Sequence, residues 1–334
     1  MTVINGIEID FITYKENEMK QAIVNNDPLE PFLHVIIAVS NSGQFARRYI
    51  LAKEFIERME REEPHVVVYV VELAYDKQPF IITNKNCPRH LQLRTEVPLW
   101  HKENMLNAGV RYLLPPTWKA FAWIDADIEF ESPTWALDTL RILNGSRDIV
   151  QLFSHCLDMD LDENSMRIFN SFAFQYTKKK QYTNSGVNYW HPGYAWAMTR
   201  KAYERIGGLY DRAILGSGDN IMSLALIDAG LKAIQHDSSQ EYKDTVLEFQ
   251  KKMRALRLGY VPGVIRHHFH GSKKNRQYSE RWQILVKHGY DPTVHVEYDA
   301  RGVLVPTDVC PREMLADIRA YFVERKEDEG LVPV

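Results

Sequence analysis

Cysteine is scarce in this chain: Cys87, Cys156 and Cys310 are the three present among 334 residues, widely spaced and with no Cys-x-x-Cys pair. Neither a disulfide framework nor a thiolate zinc site is indicated, and reduced thiols fit best. Long hydrophobic runs are missing too, since no apolar stretch approaches the roughly 18 residues of a transmembrane helix. The opening MTVINGIEIDF has neither the basic start nor the apolar core of a signal peptide. The expectation is a soluble protein that stays in the cytoplasm. A formal charge of only −3 argues against a generally polyanion-coated partner, though local basic clusters exist. What the chain does have is 45% hydrophobic and 25% charged residues. That balance suits a folded chain of one large α/β domain or two smaller ones.

The first stretch, residues 1–32, is polar and ends at the two prolines of DPLEPF, which reads as an N-terminal extension. His34 to Val39 is a continuous apolar, β-branched run, followed by Ser40-Asn41-Ser42-Gly43 and a charged segment from Gln44 to Arg61 with helical spacing. Strand, loop and helix follow. Val66 to Val71 repeats the buried-strand pattern and closes on Glu72, and a helix between about Leu99 and Leu114 is ended by Pro115-Pro116. Strands alternating with helices predict βαβ units and a mainly parallel sheet flanked by helices, with ligands bound beyond the carboxyl ends of the strands.

The stretch FAWIDADIE, Phe121 to Glu129, is the most informative. A buried strand here would carry Asp125 and Asp127 to its tip, where two carboxylates suit Mg²⁺ or Mn²⁺ bridging to a substrate diphosphate. Ser40 and Glu72 end neighbouring strands and could meet a nucleoside, or be simply a turn and a solvated strand end. In Asn184 to Arg200, aromatic residues crowd around Pro192-Gly193. Aromatic faces stack on sugars and glycine permits close approach, but the same residues serve equally as core around a turn. Gly216-Ser217-Gly218-Asp219-Asn220 reads as a loop entering a helix, with Asp219 an N-terminal acid or a functional one. Val264 to Arg276, VIRHHFHGSKKNR, gathers three histidines, a glycine and basic residues. It suits a metal and phosphate clamp, or a basic nucleic-acid patch.

Taken in order, these motifs resemble the nucleotide-sugar glycosyltransferases of the GT-A fold, galactosyltransferase-like members in particular, over roughly Leu33 to Tyr290. The resemblance implies a Rossmann-like, mixed but mainly parallel α/β domain over 33–290, with a nucleotide-binding half at 33–130 and an acceptor half at 131–290; residues 291–334, beyond it, read as a C-terminal helical tail. It implies Asp125 and Asp127 as the DxD pair, both ligands of Mn²⁺ or Mg²⁺, with Asp125 also on the donor diphosphate, and His267 completing the metal shell. His270 and Lys273 or Lys274 would face the phosphates, Lys102 and Asn104 the nucleotide-sugar, and Ser40 and Glu72 the nucleoside. Gly193 and Trp196 would form the acceptor-side loop, and Asp219 would activate the acceptor hydroxyl. Where such enzymes often carry paired acids, this chain has Asp219-Asn220. Asp219 is preferred as base because an amide takes no proton.

The implied reaction moves a sugar from a nucleotide-sugar, a UDP-sugar first, to an acceptor hydroxyl with inversion. The acceptor is left open among a glycan, a protein, a small molecule and a hydroxymethylated DNA base. A metal-dependent nucleotidyltransferase or phosphohydrolase would share the carboxylates without needing the aromatic Pro-Gly segment. A binding module with a degenerate site is a third reading, disfavoured by the intact Asp125, Asp127, Asp219 and His267. Tyr278 to Lys287 reads as a helix, and the end of the chain as a charged amphipathic helix.

Overall fold

A computed structural model describes residues 2–4, 7–9, 25–186, 188–277 and 280–329. Two short strands, β1 (Thr2–Ile4) and β2 (Ile7–Ile9), pair with each other. The first long strand, β3 (Leu33–Ser40), alternates side chains between two buried faces: Leu33, Val35, Ile37 and Val39 on one side, Ile36 on the other. After the Ser40–Gly43 turn comes helix α1 (Ala46–Glu62), which buries Leu51, Ala52, Phe55 and Met59. Strand β4 (Val66–Tyr75) runs parallel beside β3, and β5 (His90–Thr95) parallel beside β4. Helix α2 (Lys102–Tyr112) precedes β6 (Ala120–Ile124), which pairs parallel with β3 on its other side.

At Ile124 the chain leaves this sheet. Asp125, Ala126 and Asp127 cross to β7 (Ile128–Phe130), which belongs to a second sheet. Helix α3 (Trp135–Leu143) and strand β8 (Ile149–Gln151) follow, then the antiparallel pair β9 (His155–Met159) and β10 (Ser165–Ser171) and helix α4 (Phe172–Thr177). After β11 (Trp190–His191), strand β12 (Ala195–Thr199) inserts antiparallel between β6 and β8. Helices α5 (Arg200–Ile206), α6 (Gly218–Ala225) and α7 (Gln240–Met253) come next. Strand β13 (Leu258–Tyr260) closes the large sheet, and β14 (Val264–His267) joins the small one.

The large sheet has the order β13-β8-β12-β6-β3-β4-β5, parallel except at β12, and the small one β11-β10-β9-β14-β7. One apolar core, with α1 and α3, fills one face of the large sheet. The other face carries α2, α5, α6 and α7, together with α8 (Trp282–Lys287) and α9 (Arg312–Glu324). A hairpin, β15 (Val296–Tyr298) with β16 (Leu304–Pro306), lies between these last two helices in the chain. The expected α/β class, with a mainly parallel sheet flanked by helices, is what the chain forms. The expected mixed sheet has β12 as its antiparallel strand; its residues are as apolar as those of β6 beside it, so composition carries no sign of direction. No described helix is long and apolar enough to cross a membrane. Of the expected helix from Tyr278 to Lys287, residues 278 and 279 lie outside the described residues, and the helix itself begins at Trp282.

Candidate active site

The crossing between the two sheets is pinned on both sides. The Asp125 N–H donates to the Tyr194 carbonyl at 2.8 Å, and the His268 N–H donates to the Asp127 carbonyl at 2.8 Å. Both aspartates therefore sit on fixed backbone at the carboxyl end of β6, with β12 on one side and the end of β14 on the other. The β14 register sets His267 opposite Ile128 on β7. Asp127 Oδ2 then lies 2.8 Å from His270 Nε2 and 3.9 Å from His267 Nε2, and the two imidazole Nε2 atoms are 3.3 Å apart.

Ligands at adjacent positions around a small divalent cation lie about 3 Å apart, so these spacings fit one coordination sphere. Asp127, His267 and His270 are the one group of three or more potential metal ligands among the described residues. A further sign is that Asp127 Oδ1 is buried without a hydrogen-bond partner, which a protein rarely tolerates. Burial would raise the Asp127 carboxyl, but His270, and then His267 and Arg276, hold it well below the usual carboxylate range. The ionised form that these neighbours favour is the one a cation would bind. Asp125 does not reach this cluster; its Oδ1 pairs with Lys102 Nζ. Burial and the nearby Asp127 and Asp219 push the Asp125 carboxyl up against the pull of Lys102.

Two cavities meet here. One, of about 170 Å³, runs from Ser40, Asn41, Gly43 and Phe45 past Arg48 to Asp125 and Asp127. The other, of about 1010 Å³, is lined by aromatic and basic residues together with Gly193, Asp219 and Asn220. Lys102, Asp125, Tyr194, His267, Arg276 and Arg325 line both. Among the residues lining the larger one, Phe169, His191, Tyr194 and His267 form a series of adjacent rings at 4.7, 4.2 and 4.6 Å that ends at the Asp127–His267–His270 group.

No family model matches the sequence, and no curated protein matches it. Among solved structures the chain is similar to the mannosyltransferase PcManGT from Pyrobaculum calidifontis in complex with GDP-Man and Mn²⁺. The likeness has 13% identity and a TM-score of 0.42, covering 81% of this chain and 71% of that one. It is too distant to carry a substrate or a residue's role across.

Asp219, in the first turn of α6, accepts the Asn220 N–H at 2.7 Å through Oδ1. Its Oδ2 faces Gly193, where an added Cβ would come within 2.8 Å, so any larger residue there would displace the carboxylate. Ser40 lines the smaller cavity and its carbonyl accepts from Arg48 Nη1 at 2.9 Å. Lys274 is exposed and lines neither cavity, and three further expected residues line neither. Glu72 is 3% exposed, with its carboxylate occupied by the N–H groups of Ile81, Ile82 and Thr83 and by the Thr83 hydroxyl. Asn104 is buried and bonds to Asp211, the Gly302 carbonyl and the Leu304 N–H. Trp196 is core, its Nε1 donating to the Pro192 carbonyl at 2.8 Å, so it shapes the Pro-Gly turn from beneath. The side chain of Lys273 lies outside the described residues.

A guanidinium cluster also borders the site, and no sequence motif announces it. Arg48 from α1 and Arg325 beyond α9 both pair with Glu327, through Arg48 Nε at 2.8 Å and Arg325 Nη2 at 2.8 Å, and Arg276 Nη2 donates to His270 Nδ1 at 2.9 Å. Glu327 is 1% exposed and held well below the usual carboxylate range, because Arg48 and Arg325 outweigh its burial. Of these, only Arg276 lay in a motif; the others come from segments that no local pattern connects.

Proposed function

We propose that the chain is a metal-dependent glycosyltransferase that moves a sugar from a nucleoside-diphosphate sugar, a UDP-sugar first, to an acceptor hydroxyl. The observation that carries this reading is the Asp127–His267–His270 cluster, with its unpaired carboxylate oxygen, where the two cavities adjoin. Two imidazoles in the donor set favour Mn²⁺ over Mg²⁺. In the smaller cavity four permanent cations, Arg48, Lys102, Arg276 and Arg325, face three carboxylates, Asp125, Asp127 and Glu327. A divalent cation widens that positive surplus, and a diphosphate offsets it. The loop from Ser40 to Phe45 offers hydrogen-bonding groups and an aromatic ring to the nucleoside.

When bound, the cation would stabilise negative charge on the leaving diphosphate. Arg276 and Arg325 would contact the diphosphate oxygens, and Lys102 and Asp125, common to both cavities, the transferred sugar. His191 and Tyr194 would offer stacked ring faces to a sugar acceptor. Asp219 would take the proton of the attacking hydroxyl through the oxygen beside Gly193, and a single displacement inverts the anomeric centre. Replacing Asp219 by Asn removes the proton acceptor while keeping the shape. Transfer should fall by roughly 10²- to 10⁴-fold, with binding of UDP and Mn²⁺ by calorimetry unchanged. A variant that keeps most of its transfer activity would show that the base lies elsewhere.

A further inference from the structure

Asp158 lies outside both cavities yet touches the metal cluster. Strands β9 and β14 run parallel, and their register sets Asp158 beside His267. Asp158 Oδ1 meets His267 Nδ1 at 2.8 Å, with the two residues 1% and 4% exposed. Four registered residue pairs already hold these strands together, so the side-chain bond is not needed to join them. What it does is choose between the two ring nitrogens. A proton on Nδ1, donated to the carboxylate, leaves the lone pair on Nε2, the atom that faces His270 and Asp127. A proton on Nε2 would block that position. The Tyr194 ring, 4.6 Å away, restrains the imidazole without choosing its tautomer. On the far side, Arg167 Nε lies 3.4 Å from Asp158 Oδ2 and balances its charge.

We propose that Asp158 is a positioning residue of the metal centre, fixing His267 in the Nδ1–H tautomer and orientation that present Nε2 to the cation. Outer carboxylates of this kind typically change metal affinity by roughly 10- to 100-fold. The inference rests on the reading of Asp127, His267 and His270 as metal ligands, and the two are separable by experiment. Mn²⁺ affinity is measured by electron paramagnetic resonance on the full chain, wild type against Asp158→Ala and Asp158→Asn, with circular dichroism as a check on folding. The alanine variant should bind roughly 10- to 100-fold more weakly, and the asparagine variant, which keeps an acceptor oxygen and the shape, should fall between. In the metal-free protein, long-range ¹H–¹⁵N spectra should show His267 protonated on Nδ1 in the wild type and shifted toward Nε2 in Asp158→Ala. Unchanged affinity in both variants, or an unchanged tautomer in Asp158→Ala, overturns the inference alone. A wild type that does not bind Mn²⁺ overturns the proposed function with it.

Discussion

Glu103 is a carboxyl buried beneath the helix that carries Asp219. Gly218 leaves room for it, since a Cβ there would run into the Glu103 carboxylate. Burial, with help from Asp219 and Asp125 and against Lys102, pushes its pKa up to about 7 from the ordinary 4.5. Between those values the folded protein keeps a proton that the unfolded chain has released. The stability this group adds is complete below pH 4.5 and is lost as pH rises to about 7. Urea unfolding of wild type and Glu103→Gln should show a wild-type advantage greater at pH 5 than at pH 8 by about 2–3 kcal/mol. His101, which burial pushes down to about 4, acts with the opposite sign in both proteins and cancels in the difference. At this scale the sequence announces residues that share a motif, such as Asp125 with Asp127 or His267 with His270. It does not announce what a side chain bonds to. Glu72 and Asn104 have the right chemistry for a ligand and satisfy the protein's own backbone instead. Asp158, 109 positions from His267, had no local sign at all.

Among the elements, the C-terminal segment is the one whose place the sequence reveals least. Read as a tail, it is a charged amphipathic helix. In the fold, Phe322, Arg325 and Glu327 line the smaller cavity, and Asp328 accepts the first N–H groups of α1, from Ala46 at 2.9 Å and Arg47 at 2.8 Å. A carboxylate at that helix end satisfies orphan donors and the positive end of the dipole. Glu327 beside it balances two guanidiniums, and removing one partner of such a buried group costs about 3–5 kcal/mol. Glu327→Gln should lower the unfolding free energy by that order, and inorganic pyrophosphate should restore part of it by occupying the uncompensated arginines. A variant that is neither destabilised nor rescued would leave the arginines without the anion-binding role proposed for them. The buried strands β3, β4 and β6 were legible because each is an unbroken apolar run. Strand β5 and the β9–β10 hairpin were not, because edge and half-exposed strands mix polar residues into the pattern.

In the whole molecule, the candidate site exists because two sheets meet where the chain crosses from one to the other. The large sheet supplies the loop after β3 and the carboxyl end of β6, and the small sheet supplies His267 with Asp158 beside it. The parallel half of this arrangement is legible in the alternation of strands and helices along the sequence. The second sheet depends on pairings between distant segments, such as β9 with β14, which hydrophobic patterning does not encode. A ligand bound across the junction should stabilise the native state by mass action. UDP with Mn²⁺ should therefore raise the melting temperature more than either alone, and Asp127→Ala should abolish the Mn²⁺-dependent part. The most direct measurement is to incubate the protein with UDP- and GDP-sugars and follow the products by NMR with and without Mn²⁺. The proposed chemistry predicts Mn²⁺-dependent release of nucleoside diphosphate and free or transferred sugar, lost in Asp127→Ala. Release of nucleoside monophosphate or pyrophosphate, or turnover indifferent to both Mn²⁺ and Asp127, would contradict it.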